Sequence, residues 1–197
     1  MILILTDKFD KHADLICLKL HEIKADFFRF DLDSESLRNT SIDFDGARWL
    51  INQNSVYINS NTISCVWVRR PFMEVSLEEE NTDSLGFKIW RGEWNKTLLG
   101  FYNSIKSLPW LNPLARAYQA ENKYLQTEYA NSVGFNLPNF IVSNDRRKLI
   151  DFTKKHNEVV MKLMHQDFYK DTDGNFKGIY VNKITIDDLQ LFTPLSL

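Results

Sequence analysis

Two lysines stand where chemistry calls for a compact positive charge. Lys123 lies in Ala120-Glu121-Asn122-Lys123, and Lys162 sits in the apolar run Val159-Val160-Met161-Lys162-Leu163. An ammonium buried without a partner costs several kcal/mol, so Lys162 has two readings. Strand alternation turns it to solvent on a half-exposed sheet, or both ammoniums meet an anionic ligand such as the phosphates of a nucleotide. The polar stretch from His165 to Gly178 follows directly, and the amide donors around Gly174 and Gly178 are suited to fold over such phosphates. Arg69 and Arg70 close the apolar run Val66-Trp67-Val68, just before Pro71. A guanidinium pair there either binds a substrate carboxylate bidentately or guards a sheet edge against pairing. Spacing alone leaves both alternatives open.

Other patterns carry less. Asp7, Asp10, His12 and Asp14 suit the first turn of a helix, where carboxylates meet the positive end of the dipole, better than a metal site. His21, His156 and His165 have no ligand spacing. Asp171-Thr172-Asp173-Gly174 fails as a calcium loop, because the frame puts Tyr169 and Tyr180 where charged ligands belong. A solvated hairpin tip is the better account. No glycine precedes Gly46, which excludes a glycine-rich dinucleotide fingerprint.

The elements that must position these groups follow from periodicity. Ile2 to Leu5 reads as a strand buried on both faces, Ala13 to Ile23 as a helix, and Phe27 to Phe30 as a second strand, together a βαβ unit. Asp45-Gly46 marks a hairpin between Ile42–Phe44 and Ala47–Ile51. Strands follow at Val56–Ile58 and Ile63–Val68, with pairing expected to stop at Pro71. Residues 78–83 read as a loop. Trp90, Trp94, Leu98, Phe101 and Ile105 mark a long helix over 84–106, its tryptophans expected at an inter-domain or dimer face. Pro109 and Pro113 bracket Trp110 and place a domain seam there, giving domains 1–112 and 113–197. Beyond it, a helix is expected to Val133 with Gly134 as its C-cap, then a strand over 137–142. Asn144 is expected to cap a helix to His156, ahead of strands at 158–163 and 179–181 and a last helix capped by Thr185.

Composition bounds the class. The 197 residues are 44% hydrophobic and 25% charged, a packed protein rather than a disordered one, and the βαβ order makes it α/β. A net charge of −2 argues against a nucleic-acid partner held by general electrostatics. No window approaches the ~20 apolar residues of a membrane span. The N-terminus lacks the basic start of a signal peptide, and Cys17 and Cys65 read as buried thiols of a reducing cytoplasm.

Several strings, in order, resemble the ATP-grasp peptide ligases that mature ribosomally made peptides, the microviridin or graspetide group, with grasp-with-spasm maturases among them. They are Ile2-Leu3-Ile4-Leu5-Thr6 with His12-Ala13-Asp14, Phe28-Arg29-Phe30-Asp31, and Val66-Trp67-Val68-Arg69-Arg70-Pro71. Trp110-Leu111-Asn112-Pro113, Ala120-Glu121-Asn122-Lys123, Gly134-Phe135 with Pro138, and Ser143-Asn144-Asp145 continue the series. The resemblance covers essentially the entire chain. It implies an N-terminal pre-ATP-grasp α/β domain with a mixed sheet, followed by the first, central part of an ATP-grasp fold.

The resemblance further implies that Lys123 and Lys162 hold ATP and that the loop with Gly174 and Gly178 closes on the triphosphate. The reaction it implies is a ligation: an Asp or Glu side chain of a precursor peptide, activated as an acyl phosphate, is joined to a Ser, Thr or Lys side chain. ATP and Mg²⁺ are the implied cofactors and the precursor peptide the implied partner; a second copy of the chain is the partner that a dimer face on the Trp-rich helix would take. The family's acidic metal ligands have no counterpart here, since Asp187 and Asp188 do not fit the pattern. The chain is therefore expected to be an inactive N-terminal fragment. A glutamate-adding or glutathione-synthetase-like ligase, and a non-catalytic peptide-binding module, are the alternatives.

Overall fold

The computed structural model describes residues 1–72, 84–164, 168–170, 176–178 and 181–191. Leu3, Ile4 and Leu5 have no exposed surface, so β1 (Ile2–Thr6) is buried on both faces as its unbroken apolar run requires. A helix, α1 (Lys11–Glu22), leads to β2 (Phe27–Asp31), which pairs with β1 in parallel from Ile2↔Phe27 to Thr6↔Asp31. The expected βαβ unit is present. A short helix not anticipated from the sequence, α2 (Ser34–Arg38), follows, and Asp33 caps it by accepting from the Ser36 N–H at 2.9 Å.

Three antiparallel strands come next: β3 (Thr40–Phe44), β4 (Trp49–Gln53) and β5 (Val56–Asn59). The hairpin at Asp45-Gly46 forms, but β4 begins at Trp49 rather than Ala47. The Asp45 carboxylate accepts from the Ala47 and Arg48 N–H groups at 3.0 and 2.9 Å and draws both into the loop. Gly46 sits at φ +90°, which side-chain-bearing residues rarely adopt.

The chain then enters β6 (Cys65–Val68), parallel to β1 on the side opposite β2. Ser84 caps α3 (Leu85–Ser104), and β7 (Trp110–Leu111) extends the sheet to the order β2-β1-β6-β7. The sequence reads this last segment only as a proline boundary. Leu3, Leu5, Phe28, Phe30 and Val66 share one core with Leu98, Phe101 and Tyr102 of α3 and with Ile51 and Ile58 of the small sheet. Trp90 and Trp94 pack against this same core, edge to face with each other. Cys17 and Cys65 are half-buried rather than buried.

The chain divides into two units, Met1–Tyr118 and Gln119–Leu197. The single helix expected up to Val133 is two: α4 (Leu114–Glu121) and α5 (Lys123–Ser132), broken at Asn122. The Asn122 side chain accepts from the Tyr124 and Leu125 N–H groups at 3.0 and 3.2 Å and starts a new helix. Gly134, at φ +79°, ends it as expected.

In the second unit no strand forms over 137–142. Asp145, not Asn144, caps α6 (Arg146–Lys155). The short strands β8 (Val159–Met161) and β11 (Asn182–Ile184) pair antiparallel, as do β9 (Phe168–Lys170) and β10 (Phe176–Gly178). Of the strand expected over 179–181, Val181 precedes β11 and the other two residues lie outside the described residues, as does the loop expected at 78–83. Thr185 and Asp188 cap α7 (Ile186–Leu191) reciprocally: the Asp188 carboxylate accepts from the Thr185 N–H at 2.7 Å, and the Thr185 hydroxyl accepts from the Asp188 N–H at 3.2 Å. No described helix is long and apolar enough to cross a membrane.

Candidate functional site

In the first unit the strand order reverses at β1, with β2 on one side and β6 on the other. In open parallel sheets, the crevice outside the carboxyl ends at such a point is where ligands bind. Arg69 and Arg70 lie there, just past β6, and both their N–H groups donate to the Leu5 carbonyl, at 2.8 and 2.9 Å. Because β6 lies between β1 and β7, the pair does not guard a sheet edge.

Each guanidinium meets an acid from the loop between β1 and α1. Arg69 donates from Nε to Asp10 at 3.1 Å and lies 3.2 Å from His12 Nδ1. The Arg70 Nε is 2.6 Å from Asp7 Oδ2. Asp10 is 5% exposed, and it also caps α1 by accepting from the His12 and Ala13 N–H groups. Burial works to raise its pKa. The hydrogen bonds from Ala13, Arg69 and Thr6 outweigh that and hold it at about 2. Asp10 and Asp14 thus occupy the helix-start positions that the sequence suggests.

Around these pairs the polar groups are closely tied together. Arg29 donates to Asp31 at 2.8 Å, to Asp14 at 2.6 Å and to the Asp7 carbonyl at 2.8 Å. Burial pushes the Asp31 carboxyl above its ordinary range, against the pull of Arg29. Gln53, 2% exposed, accepts from the Asp31 N–H at 2.9 Å and donates to the Asp31 carbonyl at 2.8 Å.

In the second unit, Lys123 is the first residue of α5, where the helix dipole also favours anions. Its ammonium donates to the Met164 carbonyl. Lys162 falls one residue past β8 and is exposed, so the strand is shorter than the sequence suggests and Lys162 is not a buried charge. The Lys123–Met164 bond nevertheless brings Lys123 to the segment that carries Lys162. Gly178 ends β10 opposite Phe168 of β9. Gly174 and the tip over 171–175 lie outside the described residues. Among the described residues no group of three or more His, Cys, Asp or Glu is placed to hold a metal ion.

Sequence reasoning missed the acids that engage Arg69 and Arg70, and it missed the Met164 carbonyl. The Asp10 cap is a visible signal for the first. Nothing in the sequence points to the second.

A parallel sheet reversing at its first strand, with further short helices and paired short strands in the second unit, defines an α/β protein. The MvdD pre-ATP grasp domain family matches residues 1–118, and the chain belongs to that family. Its structure is similar to macrocyclase MdnC from Microcystis aeruginosa MRC, bound with precursor peptide MdnA. That match has 21% identity and a TM-score of 0.80, over 97% of this chain and 64% of that one. Macrocyclase MdnB from the same organism shares 25% identity at a TM-score of 0.73, over 93% and 60%. A RiPP-associated ATP-grasp ligase from Chryseobacterium gregarium, in complex with ADP and a leader and core peptide, shares 26% at 0.70, over 96% and 58%. The chain thus spans about 60% of the length of these solved relatives. No curated protein compared with it matches. The resemblance to ATP-grasp peptide maturases and the α/β fold class both hold.

Proposed function

We propose that this chain is part of an ATP-dependent ligase that crosslinks a ribosomally made precursor peptide. An Asp or Glu carboxylate of the peptide attacks the γ-phosphorus of ATP, ADP leaves, and an acyl phosphate forms. A Ser or Thr hydroxyl or a Lys amine then attacks the acyl carbon, phosphate leaves, and the nucleophile loses its proton, giving an ester or amide. Such chemistry needs mainly positioning and charge neutralisation.

The observation that carries this reading is the Lys123 ammonium on the Met164 carbonyl. It supports two cations, Lys123 and Lys162, at the root of the segment that runs into β9 and β10. In this reading both bind phosphate oxygens, and backbone amides near Gly174 and Gly178 assist. Arg69 and Arg70 orient the substrate carboxylate from the crevice of the first unit. The described residues supply no ligand set for Mg²⁺, and no step is derived through it. Domains at 1–112 and 113–197, a cytoplasmic location, where ATP and ribosomal products meet, an inactive 197-residue chain and a second copy as partner belong to the same proposal.

The test incubates the full-length protein with Mg-ATP and synthetic peptides rich in Thr, Lys, Asp and Glu. The expected result is ADP release with loss of one water from the peptide per bond, read by mass spectrometry. Mass gain by added glutamate supports the glutamate-adding alternative, and peptide binding without nucleotide use supports a binding module. Either result overturns the proposal.

A further inference from the structure

Helix α6 divides cleanly around its circumference. Leu149, Ile150, Phe152 and Thr153 are half-buried, while Arg147, Lys148, Asp151, Lys154 and Lys155 are exposed. At 3.6 residues per turn those five fall within one arc of roughly 120°. Five of the ten lysines and arginines in the unit Gln119–Leu197 belong to this ten-residue helix, and Asp151 is its one acid. Among the described residues none of the four exposed cations meets an acid. On α1, by contrast, Lys11 and Lys19 lie 3.3 and 2.7 Å from Asp14 and Glu22.

Helix stability does not account for this pattern. Lys154 and Lys155 suit the negative end of the helix dipole, but Arg146, Arg147 and Lys148 fill the first turn, where the positive end repels them. Arg147–Lys148 and Lys154–Lys155 form two cationic pairs seven residues, about 10.5 Å, apart, with Asp151 between them. A uniform polyanion, whether nucleic acid or a bilayer surface, would press phosphates onto Asp151. The apolar side of α6 is turned inward, so the exposed arc has nothing to sink into lipid. Two cationic pairs around an acid suit a peptide whose carboxylates are separated. In an unfolded peptide of polyproline-II geometry, residues three apart face the same way about 9 Å apart, within reach of both pairs.

We propose that this face of α6 holds an acidic stretch of the precursor peptide, with carboxylates three residues apart on the two pairs and a neutral or basic residue against Asp151. This rests on the peptide-ligase reading above and adds a surface separate from the groups that face ATP and the reacting carboxylate. Residues 156–158 alone separate α6 from β8, and Lys162 follows β8 directly. A peptide held on α6 is thereby tethered to the unit that carries Lys123 and Lys162, at raised effective concentration.

Fluorescence anisotropy of the full-length protein without nucleotide tests this with labelled peptides that carry a Glu-Glu-Thr-Glu-Glu core or its Gln-Gln-Thr-Gln-Gln counterpart. The Glu peptide is expected to bind and the Gln peptide to bind far more weakly. Arg147→Glu/Lys148→Glu and Lys154→Glu/Lys155→Glu each weaken the Glu peptide roughly three- to tenfold, with unchanged circular dichroism. All four changes together select a Lys-Lys-Thr-Lys-Lys peptide instead. Lys96→Glu/Lys106→Glu, an equal change of net charge in the first unit, leaves binding as it was. Attached to the peptides of the ligation test, the Glu core lowers KM without altering kcat, and the α6 variants erase that gain. Equal binding of Glu and Gln peptides, or an equal loss in Lys96→Glu/Lys106→Glu, overturns the surface and leaves the ligase reading in place. Adsorption to phosphatidylglycerol vesicles that the α6 variants abolish, without peptide binding, overturns it in favour of lipid. Binding through α6 with no ligation overturns the ligase reading, and with it the precursor as the source of the acidic stretch, but not the surface.

Discussion

Lys123 rests on the backbone carbonyl of Met164, two residues past Lys162 and 41 residues away in sequence. A backbone carbonyl is a weak counterpart for an ammonium, and a phosphate oxygen is a better one. Lys123→Ala and Lys162→Ala in the full-length protein are each expected to reduce stabilisation by Mg-ATP. Loss of about tenfold in ATP affinity lowers the ligand-induced gain by about 1.4 kcal/mol at saturating nucleotide. Thermal shift with and without ATP reads it, and an unchanged shift in both variants removes the phosphate assignment.

Asp10 binds the α1 N-terminus and Arg69 together, and its folded pKa of about 2 lies below the ordinary value of 3.8. A depressed carboxylate stabilises the fold above its unfolded pKa and loses that contribution as pH falls towards the folded one. The acid limb of stability between about pH 4 and pH 2 is therefore expected to flatten in Asp10→Ala. At neutral pH the same variant loses a helix cap and a charged partner, at a cost of roughly 1–2 kcal/mol in urea unfolding.

Gln53 completes both backbone hydrogen bonds of Asp31 and donates to the Thr40 hydroxyl at 2.8 Å. Gln53→Leu keeps the volume and strands a buried donor and acceptor. Destabilisation of about 2–4 kcal/mol is expected by chemical denaturation. A loss below ~0.5 kcal/mol would show that water substitutes for the amide.

Tyr102 is buried, donates to the Pro71 carbonyl at 2.5 Å, and is pushed well above its ordinary pKa by burial, with Tyr118 adding to the shift. For an acid kept neutral by the fold, stability is present below the unfolded pKa and falls as pH rises beyond it. Spectrophotometric titration is expected to show one phenolate that appears only with unfolding. Tyr102→Phe should abolish that step at a cost of about 1 kcal/mol. A phenol that ionises in the folded protein near pH 10 contradicts this.

The βαβ unit, the Asp45-Gly46 hairpin and α3 are legible in the sequence because each is a local pattern of apolar spacing closed by a cap or turn residue. The break at Asn122 is legible in principle, since Asn is a strong N-cap, but helical periodicity running through Leu114–Val133 masks it. β7 escapes because two residues between prolines carry no period; only its pairing with Val66 and Trp67 makes it a strand. The run over 137–142 has the opposite fault, ending in the apolar Phe140-Ile141-Val142 of a strand although no described strand pairs with it. The site divides in the same way. Asp10 as a cap is local, but its second role, holding Arg69 from 59 residues away, depends on β1 and β6 lying side by side.

Arg69 and Arg70 are consecutive, both their N–H groups donate to the Leu5 carbonyl, and their guanidiniums reach Asp10 and Asp7 at the two ends of the turn between β1 and α1. The turn is thereby tied at both ends to the residues that follow β6. Its peptide groups should exchange hydrogen with solvent only when β1 and β6 separate, at a rate close to that of global unfolding. Whatever enters the crevice at the end of this sheet meets a fixed wall, and any movement that accompanies binding has to come from elsewhere in the chain.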